Sequence, residues 1–427
     1  MQELRKRVPR SSFGEWKPPG QRDPIGLLSE QEKSRLQNLV ALRQERMAAS
    51  AFAFYRGSAV VMAADLASLP VTGITVQACG DAHIANFGMF ATPERNVIFD
   101  LNDFDETLPG PWEWDVLRLV TSVALAARAR SFSPKAEKRA VLAGLRAYRE
   151  AMTHFATLSP LEVWYQRVDV KRVIRETPVH RRVLRRVLNR ARRRTAEQIL
   201  PKLTLGSPPE FIDQPPTFRR LNLDDEGTEI ARDAHGRYRE TLLPHVRTLR
   251  DRYKLHDVAM KVVGVGSVGT VCMVSLSLAE HGAPLLLQIK EAQPSVLEAY
   301  VKPSEFANHG ERVVNGQRLL QAAADIFLGW FSLGDRDYYV RQLRDMKGSP
   351  NLEVVTQTQL EFTAEYCGWT LARAHARSGD PSPIADYLGT SDRFDLAAAK
   401  FTKTYADLAA ADHAHYVEVT RASGILV

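Results

Sequence analysis

Cysteines are few in this 427-residue sequence, and long apolar runs and internal repeats are missing. Its three cysteines, Cys79, Cys272 and Cys367, lie far apart and form no C-x-x-C pair. This argues against a disulfide scaffold or a cysteine-based zinc site and fits a reducing compartment. No run reaches the roughly 18 apolar residues of a spanning helix, and the charged start lacks the apolar segment of a secretory signal. We therefore predict a cytoplasmic protein without a membrane partner.

The charge is moderately positive, with a formal net value of +7. Much of the excess lies in residues 171–194, where arginine is dense and Glu176 is the one carboxylate. Apolar residues recur there at helical spacing, so the preferred interpretation is a solvated face of an amphipathic helix. The alternative is an electropositive surface for a phosphorylated or polyanionic partner. Nucleic acid is disfavoured as a partner, but this segment leaves it open.

Secondary-structure patterns divide the chain into four regions. Residues 1–73 combine a polar, loosely held arm (1–26) with two helices, at 27–46 and 58–69. Residues 74–254 begin with short strands (74–79, 86–91 and 96–101) and continue as helices. Residues 255–350 are β-rich around one helix (311–323), and residues 351–427 are helical. We predict strands in the β-rich region at 261–266, 270–278, 284–292, 325–333 and 337–345. The fold class predicted from these patterns is α+β.

A glycine-rich loop lies at Gly264, Gly266 and Gly269, with Ser267 between them, and fits the pattern G-x-G-x-x-G. That pattern is shared by dinucleotide-binding and kinase-type loops. A dinucleotide site requires a helix directly after the glycines, but here an alternating, β-branched run follows. The sequence strand–loop–strand is the arrangement in which loop amides cover the phosphates of ATP.

The next strand ends in Gln288-Ile289-Lys290, which is similar to the V-A-I-K ending whose lysine contacts the α- and β-phosphates. In kinases a glutamate from the following helix holds that lysine. Glu311 is the first candidate for this role and Glu298 the second. The alternative is a hairpin with an exposed lysine and ordinary surface carboxylates.

An acidic loop lies far upstream, at Gly80-Asp81-Ala82-His83-Ile84-Ala85-Asn86. Asp81 and Asn86 have the spacing of the kinase aspartate that accepts the acceptor's proton and the asparagine that binds magnesium. His83 is included with the catalytic residues as a hydrogen-bonding group, because one histidine among oxygen donors suits magnesium poorly. The G-D-x-H-x-x-N form resembles aminoglycoside phosphotransferases more than protein kinases.

Four carboxylates follow within seven residues, Asp100, Asp103, Asp105 and Glu106. Such a cluster is repulsive unless it is solvated or holds a cation. Asp103 fits a magnesium ligand by its downstream context, whereas Asp100 fits by its distance from Asn86, so both are kept. A cation-free acidic turn is the alternative.

Several phrases together resemble an uncharacterised bacterial family, domain of unknown function 2252. They are FYRG (54–57), GDAHIANFG (80–88), FDLNDFDET (99–107), GPWEWD (110–115), VGVGSVGT (263–270), LQIKEA (287–292), ERVVNGQR (311–318) and YVRQLRDMKGS (339–349). The acidic stretch also resembles small-molecule kinases, in which Asp115 would be the buried aspartate that anchors the catalytic loop. The family resemblance supports an architecture more than an activity.

The order of these segments differs from that of a kinase, in which the glycine loop comes first. Here the acidic loops precede it, and residues 366–376 resemble the helix that normally leads into the catalytic loop. Placing residues 255–380 ahead of residue 75 restores the usual order. The resemblance therefore implies a circularly permuted, protein-kinase-like two-lobe fold, with a small antiparallel β-sheet N-lobe and a helix-rich C-lobe.

The expected function is an ATP- and Mg²⁺-dependent phosphotransferase acting on a hydroxyl of a small molecule or a protein. Asp81 would be the base, Asn86 and Asp103 (or Asp100) the metal ligands, and Lys290 the phosphate clamp. Arg56 would either pair within the fold or reach a substrate phosphate. The alternatives are AMP transfer on the same scaffold and a pseudokinase that binds nucleotide without turnover.

Overall fold

The computed structural model describes residues 2–221, 224–262, 264–343 and 346–425. It is a mixed α+β protein in which helices predominate. The helices are α1 (Gln2–Arg7), α2 (Pro24–Glu32), α3 (Gln37–Ala48), α4 (Ala51–Gly57), α5 (Ala59–Leu66), α6 (Trp112–Ala129), α7 (Pro134–Phe155), α8 (Pro160–Tyr165), α9 (Val170–Glu176), α10 (Arg181–Arg192), α11 (Ala196–Leu203), α12 (Asp225–Glu240), α13 (Pro244–Arg250), α14 (His309–Leu320), α15 (Gln357–Ser378), α16 (Pro381–Leu388) and α17 (Arg393–Ala422).

The strands form antiparallel sheets. They are β1 (Thr75–Ala78), β2 (Phe87–Ala91), β3 (Val97–Leu101), β4 (Leu108–Pro111), β5 (Val168–Asp169), β6 (Thr204–Leu205), β7 (Glu210–Phe211), β8 (Phe218–Arg220), β9 (Tyr253–Lys261), β10 (Cys272–Ala279), β11 (Pro284–Ala292), β12 (Gly329–Leu333) and β13 (Arg336–Gln342).

One six-stranded sheet holds the glycine-rich segment, with strand order β12-β13-β11-β10-β9-β8. Strands β10 and β11 pair so that Cys272 is opposite Lys290, at the end of β10 that follows the glycine loop. A buried apolar cluster on this sheet includes Leu287 and Ile289 together with Tyr238 of α12. The sheet therefore has its own core, and that core fixes the direction of β11.

The helical part is built around α6, α7, α15 and α17, which share the largest apolar cluster. Helices α7 and α15 cross closely where two glycines meet, because a Cβ on Gly368 would lie 2.2 Å from the carbonyl oxygen of Gly144. One turn farther on, Tyr148 lies 2.8 Å from His375 Nδ1. This crossing brings His375 of α15 beside the start of α6.

The predicted hairpin at 86–101 is confirmed as β2 and β3, which pair in antiparallel register from Phe87–Leu101 to Ala91–Val97. The predicted strand at 74–79 is confirmed as β1, whose partner is β4. Strand 284–292 has the predicted bounds. Strands β2, β3 and β11 are short, mostly buried runs bounded by turn residues, a pattern that specifies them locally.

The prediction of one helix over residues 27–46 is wrong. The chain forms α2 and α3 with a break between them, where the Leu36 amide donates to the Gly269 carbonyl oxygen at 2.7 Å. That hydrogen bond takes the Leu36 amide out of any continuous helix. The helix is therefore interrupted at the point where the chain contacts the glycine loop.

The prediction of a loosely held arm over residues 1–26 is also wrong. Phe13 is fully buried against Phe394, and Trp16 packs on Phe401 and Tyr405 of α17. Arg5 and Arg10 donate to backbone carbonyls of residues 386–388. The N-terminal segment is thus part of the helical core.

The strand predicted at 261–266 is displaced toward the N-terminus, since β9 ends at Lys261 and the glycines lie in the following turn. Strand 325–333 begins only at Gly329. The predicted segments that include Val263, Arg344 and Asp345 lie in part outside the described residues. Within the described ranges, no helix is long and apolar enough to cross a membrane.

Glu113 in the first turn of α6 provides a test of the buried helical core. Its Oε1 accepts hydrogen bonds from the Thr72 amide and hydroxyl at 2.8 and 2.6 Å, and burial raises its pKa to about 7. The usual glutamate pKa is about 4.3. Because the folded state holds the proton more tightly, the free energy of unfolding should fall as pH rises from about 4.5 through 7, by roughly 3 kcal/mol.

We predict that Glu113→Gln removes this part of the pH dependence. Urea unfolding at pH 5 and pH 8 measures it, with Glu305→Gln on the surface as the control. Equal pH slopes for wild type and Glu113→Gln would contradict the assignment.

Candidate functional site

One cleft between the six-stranded sheet and the helical part brings the acidic stretch and the glycine loop together. The Ser267 hydroxyl lies 3.5 Å from Asp105 Oδ2, although the two residues are 162 positions apart. The predicted site residues that line the cleft are Asp81, His83, Asn86, Asp103, Gly264, Gly266 and Ser267. Helices α2, α4 and α5 and the break after α2 supply another wall, which includes Arg35 of the break and Arg56 of α4.

Asp115 of α6 anchors the acidic loop, as predicted. The two carboxylate oxygens of Asp115 accept hydrogen bonds from the amides of Cys79 and Gly80 at 2.6 and 2.9 Å. His375 lies 3.2 Å from the same carboxylate, so α15 contributes to the anchor. Gly80 has a φ of +80°, and a Cβ there would lie 2.3 Å from the Glu106 carbonyl oxygen. Only glycine fits this turn.

Asp81 presents one carboxylate oxygen to the fold and the other to the cleft. Arg118 contacts Oδ1 through Nε and Nη2, both at 2.7 Å. Burial alone would raise the pKa of Asp81, but Arg118, with help from Arg56, holds that pKa below its usual range. Oδ2 accepts no hydrogen bond from the described residues. Asp81 is therefore an ionised, oriented acceptor with one available oxygen.

His83 is a neutral neighbour of this carboxylate. Its Nε2 lies 3.7 Å from Asp81 Oδ2, and burial lowers the pKa of His83 to about 3. Its Nδ1 is buried without a hydrogen-bond partner in the described part of the chain. The ring is therefore suited to hydrogen bonding and not to carrying charge.

Asn86 and Asp103 face the same part of the cleft. The Asn86 side-chain amide donates to the Asp81 carbonyl oxygen at 2.7 Å, which leaves its own oxygen for a ligand. Asp103 Oδ1 is buried and accepts no hydrogen bond, and Lys290 Nζ is 3.7 Å from it. Burial and the neighbouring Asp105 raise the pKa of Asp103.

This pair fits magnesium. No group of three or more His, Cys, Asp or Glu side chains is arranged to hold a metal ion within the described ranges. Magnesium in nucleotide sites is usually bound by one or two protein carboxylates together with phosphates and water. A buried carboxylate oxygen without a hydrogen-bond partner among the described residues, beside an asparagine oxygen, matches that donor set.

Asp100, the second candidate for this metal, does not line the cleft. It is buried and forms an ion pair with Arg373 of α15, and its Oδ2 accepts from the Ala322 amide at 2.8 Å. Strand β3 directs this side chain away from the cleft, toward α15. We correct the assignment: Asp100 joins β3 to α15, and Asp103 is the metal candidate.

Lys290 is held by the acidic stretch itself. It is 2% exposed, and its Nζ lies 2.5 Å from Asp105 Oδ2. The Tyr339 hydroxyl donates to the other Asp105 oxygen at 2.6 Å. Burial would lower the pKa of Lys290, but Asp103 and Asp105 outweigh it and hold that pKa well above its usual value. The lysine is therefore charged and fixed.

Glu311 does not pair with Lys290, which corrects the first candidate for that role. Its side chain makes no hydrogen bond or ion pair with any described residue. The neighbouring Arg312 is the residue of α14 that contacts the acidic stretch, donating to the carbonyl oxygens of Thr107 and Asp105 at 2.7 and 2.9 Å. Glu298 lies 4.0 Å from Arg312 and likewise forms no ion pair with Lys290.

The glycine loop turns sharply under the N-terminal helices. Gly264 and Gly269 have φ values of +66° and +90°. Arg35 Nη1 donates to the Val268 carbonyl oxygen at 2.6 Å, and Arg46 Nη1 donates to that of Gly264 at 2.8 Å. The N-terminal helices therefore hold the loop at both ends.

Sequence reasoning missed three residues of this site: Asp105, Arg118 and Arg35. Asp105 was visible in the run Asp103-Phe104-Asp105-Glu106, where two acidic residues on alternate positions share one side of an extended chain. Arg118 and Arg35 carry no such signal, since their roles depend on contacts 37 and 233 positions away.

A protein-family model described as an uncharacterised protein conserved in bacteria matches residues 35–419. No curated protein and no solved structure matches the chain.

We predict that Asp105→Asn lowers the free energy of unfolding by about 2 kcal/mol, because it removes the closest anion from a buried ammonium group. This is less than for a fully buried pair, since the Asp105 side chain is 30% exposed. Glu311→Gln is the matched control and should change stability by less than about 0.5 kcal/mol. Urea unfolding measures both. A larger effect of Glu311→Gln would restore Glu311 as the partner of the lysine.

Proposed function

We propose that this chain, which belongs to the bacterial family domain of unknown function 2252, is an ATP- and Mg²⁺-dependent phosphotransferase acting on a hydroxyl acceptor. One observation carries the proposal. Asp81, Asn86 and Asp103 line the same cleft as Gly264, Gly266 and Ser267. Phosphoryl transfer needs groups of both kinds around one triphosphate, the acidic residues for the acceptor and the metal and the loop amides for the phosphates.

In this proposal Asp81 orients the acceptor hydroxyl and takes its proton through Oδ2. Arg118 holds Oδ1 at 2.7 Å, so the carboxylate cannot rotate away from the cleft. An ionised aspartate with a lowered pKa is a weak base, so its main contribution is to position the nucleophile. The transferred phosphoryl group bonds to the acceptor oxygen as the bond to the nucleoside diphosphate breaks.

Lys290 and the glycine loop bind the phosphates in this proposal. Lys290 is fixed between Asp105 and Tyr339 and is charged, as a contact to the α- and β-phosphates requires. Asn86 and Asp103 would hold magnesium, which neutralises phosphate charge when bound.

The contacts also support a permuted kinase-like arrangement. The order β9, glycine loop, β10, β11 with Lys290, α14, β12 and β13 follows the nucleotide-binding lobe of a kinase. The Gln77 amide of β1 donates to the Ser378 hydroxyl at the end of α15 at 3.0 Å. The helix that would precede the catalytic loop therefore ends beside the strand that leads into it, where a permuted chain would have been joined.

We predict that Asp81→Asn lowers γ-phosphate turnover by about 10²- to 10⁴-fold and leaves nucleotide affinity nearly unchanged. The measurement is product analysis with ATP labelled separately at the α- and γ-phosphates, with Glu311→Gln as the control. Transfer of the α-label to the acceptor would favour AMP transfer on the same scaffold. Unchanged γ-turnover in Asp81→Asn would remove the assignment of Asp81.

Magnesium dependence tests Asp103 separately. We predict that Asp103→Asn raises the magnesium concentration needed for nucleotide binding by at least about tenfold. Calorimetric titration of nucleotide at several magnesium concentrations measures this, with Asp105→Asn as the comparison. An unchanged magnesium requirement would exclude Asp103 as a ligand.

A further inference from the structure

Arg56, at the end of α4, carries a cation that the fold leaves without a partner. It forms no hydrogen bond or ion pair with any described residue, and its Nε is buried. The Phe52 ring lies beside it, 5.9 Å from the guanidinium carbon. Arg56 is half-buried, and a partly desolvated charge without a hydrogen-bond partner is costly to folding unless a ligand or water contacts it.

The neighbouring arginines differ from it. Arg43 contacts Glu32 at 2.7 Å and the Gly57 carbonyl oxygen at 2.8 Å. Arg118 contacts Asp81 and also donates to the Tyr55 carbonyl oxygen at 2.9 Å. Arg43 and Arg118 therefore each have hydrogen-bond acceptors in the fold, although Arg43 Nε is also buried without one, whereas no described residue accepts a hydrogen bond from the Arg56 side chain.

Arg56 lies where the tip of the glycine loop meets the acidic loop. A Cβ on Gly266 would lie 3.2 Å from the Arg56 carbonyl oxygen, so the loop tip rests on this residue. Its side chain lines the cleft together with Asp81 and Asp103. Burial lowers the pKa of Arg56, and the negative charges of Asp81 and Asp103 oppose that shift.

We propose that Arg56 binds the terminal phosphate of a bound nucleoside triphosphate and stabilises the charge on the phosphoryl group as it is transferred. This assignment rests on the proposed function. Arginine suits the role because its planar guanidinium can contact two phosphate oxygens at once. An arginine supplied within the same chain serves this purpose in other phosphotransfer enzymes.

The other cations at the cleft already have partners among the described residues; Arg35 also lines it, but its Nη1 donates to the Val268 carbonyl oxygen at 2.6 Å. Residues 80–86 contain no lysine or arginine, and His83 in that loop is neutral. Lys290 is fixed by Asp105 and serves the inner phosphates in the proposed function. Arg118 is committed to Asp81. Arg56 is the cation at the tip of the glycine loop, and it lines the cleft together with Asp81.

The test compares binding of a non-hydrolysable ATP analogue and of ADP, each with magnesium, to wild type and Arg56→Gln by calorimetry. We expect Arg56→Gln to weaken binding of the analogue by about tenfold or more and that of ADP by less than about twofold. Arg146→Gln is the control: it removes an exposed arginine of α7 that does not line the cleft. It should leave the preference for the triphosphate unchanged.

Thermal unfolding of the empty protein distinguishes ligand binding from a structural role. An arginine kept for a ligand lowers stability when the ligand is absent, so Arg56→Gln should unfold at the same temperature as wild type or higher. A lower unfolding temperature, or equal loss of both nucleotides, would overturn the assignment. If wild type binds both nucleotides and Arg56→Gln keeps the same preference, only this inference fails. If wild type binds neither, the proposed function fails as well.

Discussion

The contact between Lys290 and Asp105 is the interaction on which the cleft depends. It joins the six-stranded sheet to the acidic stretch across 185 positions of sequence, with Nζ and Oδ2 2.5 Å apart. Each partner would be costly to bury alone, so each requires the other. Tyr339 and Arg312 hold the same segment of chain from the sheet and from α14. The two walls of the cleft are therefore positioned by charge as well as by apolar packing.

The parts of the site that the sequence could predict are those specified by local chain geometry. Asp81 and Asn86 belong to one short loop, and Gly264 and Gly269 occupy turns that need positive φ. The sequence could not decide between Asp100 and Asp103. The two residues are three positions apart, and the direction of each side chain depends on where β3 ends. Arg373, which pairs with Asp100, is 273 positions away. No local pattern contains that information.

The N-terminal region shows how composition can mislead. Residues 1–26 are rich in proline, glycine and charge, which is typical of a mobile segment. Two aromatic residues, Phe13 and Trp16, outweigh that average because they pack on α17. The helix break at Leu36 is equally hidden, since the acceptor of its amide is the distant Gly269 carbonyl. A few long-range contacts thus order a segment whose average composition is typical of a mobile one.

The late position of α15 in the sequence determines when its side chains become available during translation. A ribosome releases the acidic loop long before it releases His375 and Arg373, the side chains that pair with Asp115 and Asp100. Until Arg373 is made, the Asp100 carboxylate lacks its ion-pair partner and has to stay hydrated, whereas Asp115 already has the Cys79 and Gly80 amides. The nascent chain therefore carries an exposed, negatively charged segment that can be drawn into the core only near the end of translation.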